Sequence, residues 1–201
     1  MGELPLFPLH TVLFPDGLLE LKIFEARYLD LIASCLRERK PFGVVAMRAG
    51  SEARSRGDTV RLYEVGTIAE LIDVDSAQAG ILLVRCRGGE RFKVGPTRQE
   101  RDGLWIAAAA ETVAADPLVA PATGHTDVVK SLADVIAGLS AQGSHPFLEP
   151  HRFDSAAWVA NRWCEILPMA IEVQQRLLTL VDPVARLDVV VSLLRAREHA
   201  R

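Results

Sequence analysis

The hydrophobic pattern of the chain changes period within its first forty residues. From Glu3 the chain opens with an apolar run ("ELPLFPLHTVLFPDG") that reads as buried strand yet is interrupted by Pro5, Pro8 and Pro15, and a cleaner strand follows over Leu18 to Phe24. Tyr28, Leu31, Ile32, Cys35 and Leu36 then fall at i, i+3, i+4, i+7 and i+8, the stripe of a helix with one buried face. Glu25 stands in its first turn and Arg37, Arg39 and Lys40 in its last, matching the helix dipole, and Pro41 stops it. Prolines complicate the opening strand. Successive N–H groups of a strand point to opposite edges, so Pro5 and Pro8 would remove donors from both edges of one strand. The expectation is a short strand near Leu6 to Leu9 and a shaped excursion through "HTVLFPDG". Pro15-Asp16-Gly17 forms the turn, and Leu13 and Phe14 sit at its tip.

"PFGVVAMRAG" supplies another short buried strand, and the charged run Ser51 to Asp58 reads as a surface loop. "GTIAELIDVD" and "GILLVRCRG" predict two strands joined around Ser76 to Gly80. "ERFKVG" and "LWIAAAAET" predict two more, with Arg101-Asp102-Gly103 as the hairpin turn between them. Near Ala114 the strand pattern ceases. "AADPLVAPATGHTD" is rich in Ala, Pro and Thr and lacks period, and beyond it every periodic segment is helical. Asp127 to Ala141 carries a stripe of Val128, Leu132, Val135, Ile136 and Leu139. A further helix is capped by Asp154 or Ser155, another starts at Pro168, and the last starts at Asp182-Pro183 with Val184, Leu187, Val190, Val191 and Leu194 on its apolar face. The predicted organisation is α+β: a β domain over 1–115 with one early helix, a cleavable linker over 116–126, and a bundle of about four helices over 127–201.

Composition narrows the function classes. A net charge of −3 and a pI near 6.0 remove the cheap electrostatic route to nucleic acid. No apolar run approaches the length of a spanning helix, and no leader pattern opens the chain, so the expected location is the cytoplasm. Cys35, Cys86 and Cys164 are odd in number and set in apolar contexts, which reads as packed thiols. Phosphate-cradle, nucleophile-elbow and zinc-protease motifs are missing from the sequence. His145, Glu149 and His151 flank "PFLEP" at a spacing that fits no common zinc pattern, and read as loop residues. "GHTD" at Gly124 to Asp127 has no adjacent nucleophile and is explained by helix capping. Glu25 and Arg27 read as an ion pair at a helix start, and of Trp158 and Trp163 at least one should pack on the core. No cofactor and no metal are expected.

In order and spacing, "LPLFPLHTVLFPDGLLELKIFEARY", "FGVV", "GTIAEL" and "ERFKV" resemble the N-terminal domain of Lon proteases and its stand-alone bacterial relatives. "RWCEILPMAIEVQQRLLTLVDPVARLDVVVSLL" is similar to the helix-rich continuation of that family. The resemblance implies a PUA-like β pseudo-barrel followed by a helical bundle, and a substrate-recognition role in binding polypeptide. The ATPase and Ser-Lys protease modules of full-length Lon have no counterpart in these residues. The leading expectation is therefore a noncatalytic module that binds unfolded or flexible polypeptide, or a partner protein, with no membrane role. RNA binding, implied by the PUA-like fold, and a small enzyme with an unrecognised site are the alternatives. The nominated binding residues are Leu13, Phe14, Phe147 and Leu148. Both pairs lie in segments that proline and polar neighbours keep out of regular structure, and together they would make an exposed apolar patch.

Overall fold

A computed structural model of the chain describes residues 2–48 and 60–198; the charged run Ser51 to Asp58 lies outside them. The chain divides into two compact units, Met1–Ala114 and Ala115–Arg201. The first holds β1 (Leu4–Leu9), β2 (Leu18–Ile23), α1 (Ala26–Glu38), β3 (Phe42–Ala46), β4 (Val65–Gln78), β5 (Ile81–Lys93), β6 (Thr97–Gln99), β7 (Trp105–Ala107) and β8 (Glu111–Thr112). They form a mixed sheet in the order β2-β5-β4-β3-β1-β7-β6, with β8 beside β5. The second unit holds α2 (Thr126–Ala141), α3 (Ala156–Ile166), α4 (Ile171–Thr179) and α5 (Pro183–Glu198). The fold is α+β. The strand path is open, so among the described residues the expected pseudo-barrel is not sealed by pairing between β2 and β6.

β1 runs through both prolines, against expectation, and the register shows how. Its ladder with β3 covers Leu6 to Leu9 and its ladder with β7 covers Leu4 to Leu6, so the two overlap only at Leu6. The Leu9 carbonyl accepts from the Met47 N–H at 2.9 Å, which turns the backbone groups of odd residues toward β3 and of even residues toward β7. Pro5 therefore faces β3 before that ladder begins, and Pro8 faces β7 after that ladder has ended. Neither proline removes a bond that the sheet makes.

Alternate residues of the strands feed two cores. Phe7, Phe42, Val84 and Cys86 pack with Tyr28, Leu31, Ile32 and Cys35 of α1, where Phe7 and Tyr28 stack at 4.0 Å between ring centroids. Leu4, Leu6, Val45, Ile68 and Phe92 form the other core. β5 differs from the sequence reading, because "GILLVRCRG" and "ERFKV" are one continuous strand through Gly88 and Gly89. These glycines mark close approach instead of a break: a Cβ on Gly88 would lie 2.1 Å from the Phe14 carbonyl oxygen. The turn at Arg101 to Gly103 joins β6 to β7.

In the second unit α2 buries Val128, Leu132 and Ile136, while Val135 is exposed. Ser155 caps α3, accepting from the Trp158 N–H at 3.3 Å, and Asp182 caps α5, accepting from the Val184 N–H at 2.9 Å. Trp158 and Trp163 are both buried, and the Trp163 indole donates to the Val128 carbonyl at 3.1 Å. α4 begins at Ile171, three residues past Pro168. On α5 the fully buried set is Arg186, Leu187 and Val190; Arg186 had no place in the apolar stripe. Its guanidinium donates to both carboxylate oxygens of Asp116 (2.7 and 3.0 Å), to Asn161 Oδ1 (2.9 Å), and to the carbonyls of Leu177 (2.9 Å) and Leu180. The irregular segment 115–122 is thereby part of the helical unit, tied to α5 through Asp116.

Candidate functional site

The excursion that carries Leu13 and Phe14 is folded inward. Leu13 and Phe14 are 4% and 0% exposed. The Leu13 carbonyl accepts from Thr67 Oγ1 at 2.6 Å, and the Phe14 carbonyl accepts from the Gly17 N–H at 3.0 Å. Asp16, at φ 59°, turns the chain so that its own N–H reaches the Gly88 carbonyl at 2.7 Å. In the helical unit Phe147 is 6% exposed beneath the guanidinium of Arg162, 5.9 Å from its ring centroid, and Leu148 is half-buried. The exposed patch expected of these four residues is thus corrected: Leu13, Phe14 and Phe147 are core residues. The two pairs belong to different compact units. The loop's apolar tip can sit in the core because its backbone groups are satisfied there, by Thr67, by Gly88 and within the turn itself, which leaves the side chains free to bury.

A different surface presents apolar groups to solvent, around the last turn of α1. The helix ends at Arg39 in the left-handed region (φ 54°), whose N–H reaches back to the Cys35 carbonyl. Two adjoining depressions flank this turn and share Cys35, Lys40 and Pro41. One, of about 440 Å³, lies toward β4 and is walled by Leu36, Leu71, Arg39 and Glu70. The other, of about 420 Å³, lies toward β1 and β7 and is walled by Leu4, Pro5, Leu31, Ile106, Glu3 and Glu38. Leu36 is 52% exposed at the rim. The sequence signal for it was the end of the helical stripe, one residue past the buried Cys35 and on the shoulder of the apolar face.

Charges of both signs ring the apolar floor. Lys40 pairs with Glu38 at 3.0 Å and, with Ser34 and Arg37, holds its carboxyl below the usual carboxylate range. Arg98 does the same for Glu3, bonding it at 2.6 Å. Burial, with Glu38 as a smaller cause, pushes the Cys35 thiol up to about 11. A thiol so placed is protonated near neutral pH and is a poor nucleophile. The arrangement offers apolar contact and peripheral charge, the chemistry of a side-chain-binding groove.

The helical unit places other polar groups in structural roles. His125 is buried, accepts at Nδ1 from the Ala122 N–H at 3.2 Å, and lies with Nε2 2.7 Å from Asp188 Oδ1, so Nε2 carries the proton in the neutral ring. The His151 ring packs against Phe153 and Trp158, with centroids 5.9 and 5.7 Å away. Burial pushes the Cys164 thiol, like that of Cys86 in the sheet, up to about 12. Glu25 and Arg27 form the expected pair at 2.9 Å, and Arg27 also donates to the Gly103 carbonyl at 2.9 Å. Among the described residues, no group of three or more His, Cys, Asp or Glu is placed to hold a metal ion, and no helix is long and apolar enough to cross a membrane.

A family model described as the ATP-dependent protease La (LON) substrate-binding domain matches residues 3–196. Among solved structures, the chain is similar to a Lon N-terminal domain protein from Xanthomonas campestris, at 30% identity and a TM-score of 0.76, over 96% of this chain and 98% of the other. It is also similar in fold to the N-terminal domain of a Mycobacterium avium complex Lon protease, at 15% identity and a TM-score of 0.60, over 94% and 96% of the two chains. No curated protein matches the sequence.

Proposed function

The chain belongs to the family of ATP-dependent protease La (Lon) substrate-binding domains, and from that premise we propose that it is a noncatalytic module that binds flexible polypeptide in the groove around the last turn of α1. The observation that carries this reading is the span of the family match, residues 3–196, which covers both units. The groove supports it from the chemical side. Leu36, Pro41 and Leu71 offer apolar contact, while Glu38, Arg39, Lys40 and Glu70 meet the polar backbone and mixed charges of a client segment. Noncatalytic action accords with thiols held protonated by burial.

Fluorescence anisotropy against a permanently unfolded, reduced and alkylated model protein tests the proposal, with a single-stranded RNA as comparison. Burying the exposed half of one leucine contributes about 1 kcal/mol, or roughly fivefold in affinity. Leu36→Ser should weaken polypeptide binding by about that factor, and salt should change it little. Binding unaffected by both Leu36→Ser and Pro41→Ser, in variants with wild-type circular dichroism, overturns the groove. RNA binding that falls steeply with salt, without polypeptide binding, overturns the function.

A further inference from the structure

β2 is an end strand of the sheet, and its open edge reads as self-complementary. On its inner edge Leu19, Leu21 and Ile23 lie opposite Cys86, Val84 and Leu82 of β5. Gly88 anchors the phase of that ladder: it donates to the Gly17 carbonyl at 2.9 Å and accepts from the Asp16 N–H at 2.7 Å. Bonded positions on β5 are thus the even ones, and Leu19, Leu21 and Ile23 turn their backbone groups inward. Leu18, Glu20 and Lys22 turn theirs outward, where among the described residues no strand pairs with them.

We infer that this edge pairs with the same edge of a second copy of the chain, antiparallel and two-fold about Leu21. The occupant follows from the order of side chains. With Leu21 opposite its own copy, Glu20 of each chain faces Lys22 of the other, and Leu18 faces Phe24. Opposite charges meet opposite charges and apolar meets apolar at every outward position, all on the face away from the α1 core. The free chain leaves most of these groups exposed to solvent. Phe24 is 66% exposed, and Lys22 lies opposite Leu83, itself exposed, with no carboxylate partner among the described residues. Glu20 has only the exposed Arg85, at 3.3 Å. The ladder also has natural ends, since the turn closing at Gly17 precedes it and α1 begins two residues after Phe24. A lysine on an edge strand discourages indiscriminate pairing, whereas the Glu-x-Lys order selects a partner strand that carries the reverse order, as a two-fold copy does.

The interface is small, so the dimer should be weak and reversible. Sedimentation velocity on the full chain over a concentration series reads it. Glu20→Lys places lysines opposite lysines and Lys22→Glu places glutamates opposite glutamates, at two symmetric sites each. Either substitution should weaken association by about tenfold or more. An equimolar mixture of the two variants should restore it, because every charged contact in the heterodimer is complementary again. The double variant should pair with itself, and serves if one single variant is poorly folded. Wild-type chain that sediments as a monomer throughout overturns the proposal, and leaves the edge open to a client strand. Association that persists in both single variants, or that mixing fails to restore, overturns it as well.

Discussion

Replacing Arg186 by methionine should unfold the helical unit preferentially. Arg186 is 1% exposed and makes five hydrogen bonds, two of them to an Asp116 carboxylate whose side chain is only 9% exposed. Methionine fills most of the volume and donates nothing. Removing one member of a buried ion pair costs about 3–5 kcal/mol, because the remaining charge stays buried without its partner. That is a large fraction of the roughly 5–15 kcal/mol that holds a domain folded. For a unit of this size it corresponds to a melting shift of roughly 12 °C or more. The assay is urea unfolding followed by tryptophan fluorescence. Trp158 and Trp163 lie in the helical unit, and a Trp105→Phe background removes the third indole, which lies in the sheet. Adding Asp116→Asn to the Arg186→Met variant should recover part of the loss, since a neutral amide no longer needs a cation. A loss below about 1 kcal/mol in Arg186→Met would refute the view that this pair organises the unit.

Gly88→Ala should destabilise the sheet by about 1–3 kcal/mol in thermal melts, as an overpacked site does, because the new methyl group would press on the Phe14 carbonyl; an unchanged melt contradicts the close approach. Chymotrypsin should cut the native chain early at Leu118, 84% exposed in an irregular segment, and mass spectrometry of the first fragments reads this; first cuts inside α1 oppose it. Burial raises all three thiols to about 11 or 12 in the folded state. The unfolded chain therefore loses these protons first, and stability is full below about pH 9 and falls as pH rises from there toward the folded values. Urea midpoints should drop between about pH 9 and 11, less so in a Cys→Ala triple variant. A thiol reagent should label native protein slowly and denatured protein at once.

Periodicity made the helices legible. The stripe from Tyr28 to Cys35 is the buried face of α1, and the caps at Ser155 and Asp182 stand where a side-chain oxygen can meet orphan N–H groups. Legibility failed where a local rule met a distant neighbour. Gly88 and Gly89 look like a break until Phe14 and Glu70 are placed beside them. Pro5 and Pro8 look incompatible with one strand until the two ladders of β1 are seen to overlap at a single residue. Buried Arg186 falls outside any apolar stripe, because its partner Asp116 lies seventy residues earlier. The groove escaped for a related reason: Leu36 and Pro41 were accounted for as helix stripe and helix stop, and only the approach of β1, β4 and β7 gives them a shared surface.

The two ladders of β1 also set a timetable. Leu4 pairs with Ala107, so during synthesis β1 waits for roughly a hundred residues before its last partner exists. At about 5–20 residues per second that delay lasts about 5–20 s. An apolar hexapeptide held open that long would, without its prolines, be the kind of segment that recruits other nascent chains into intermolecular sheets. Pro5 and Pro8 point their missing donors to opposite edges, so a stray chain arriving on either side meets a gap in the ladder. The same two residues cost the native sheet no hydrogen bond, so protection during synthesis comes without loss of stability afterwards.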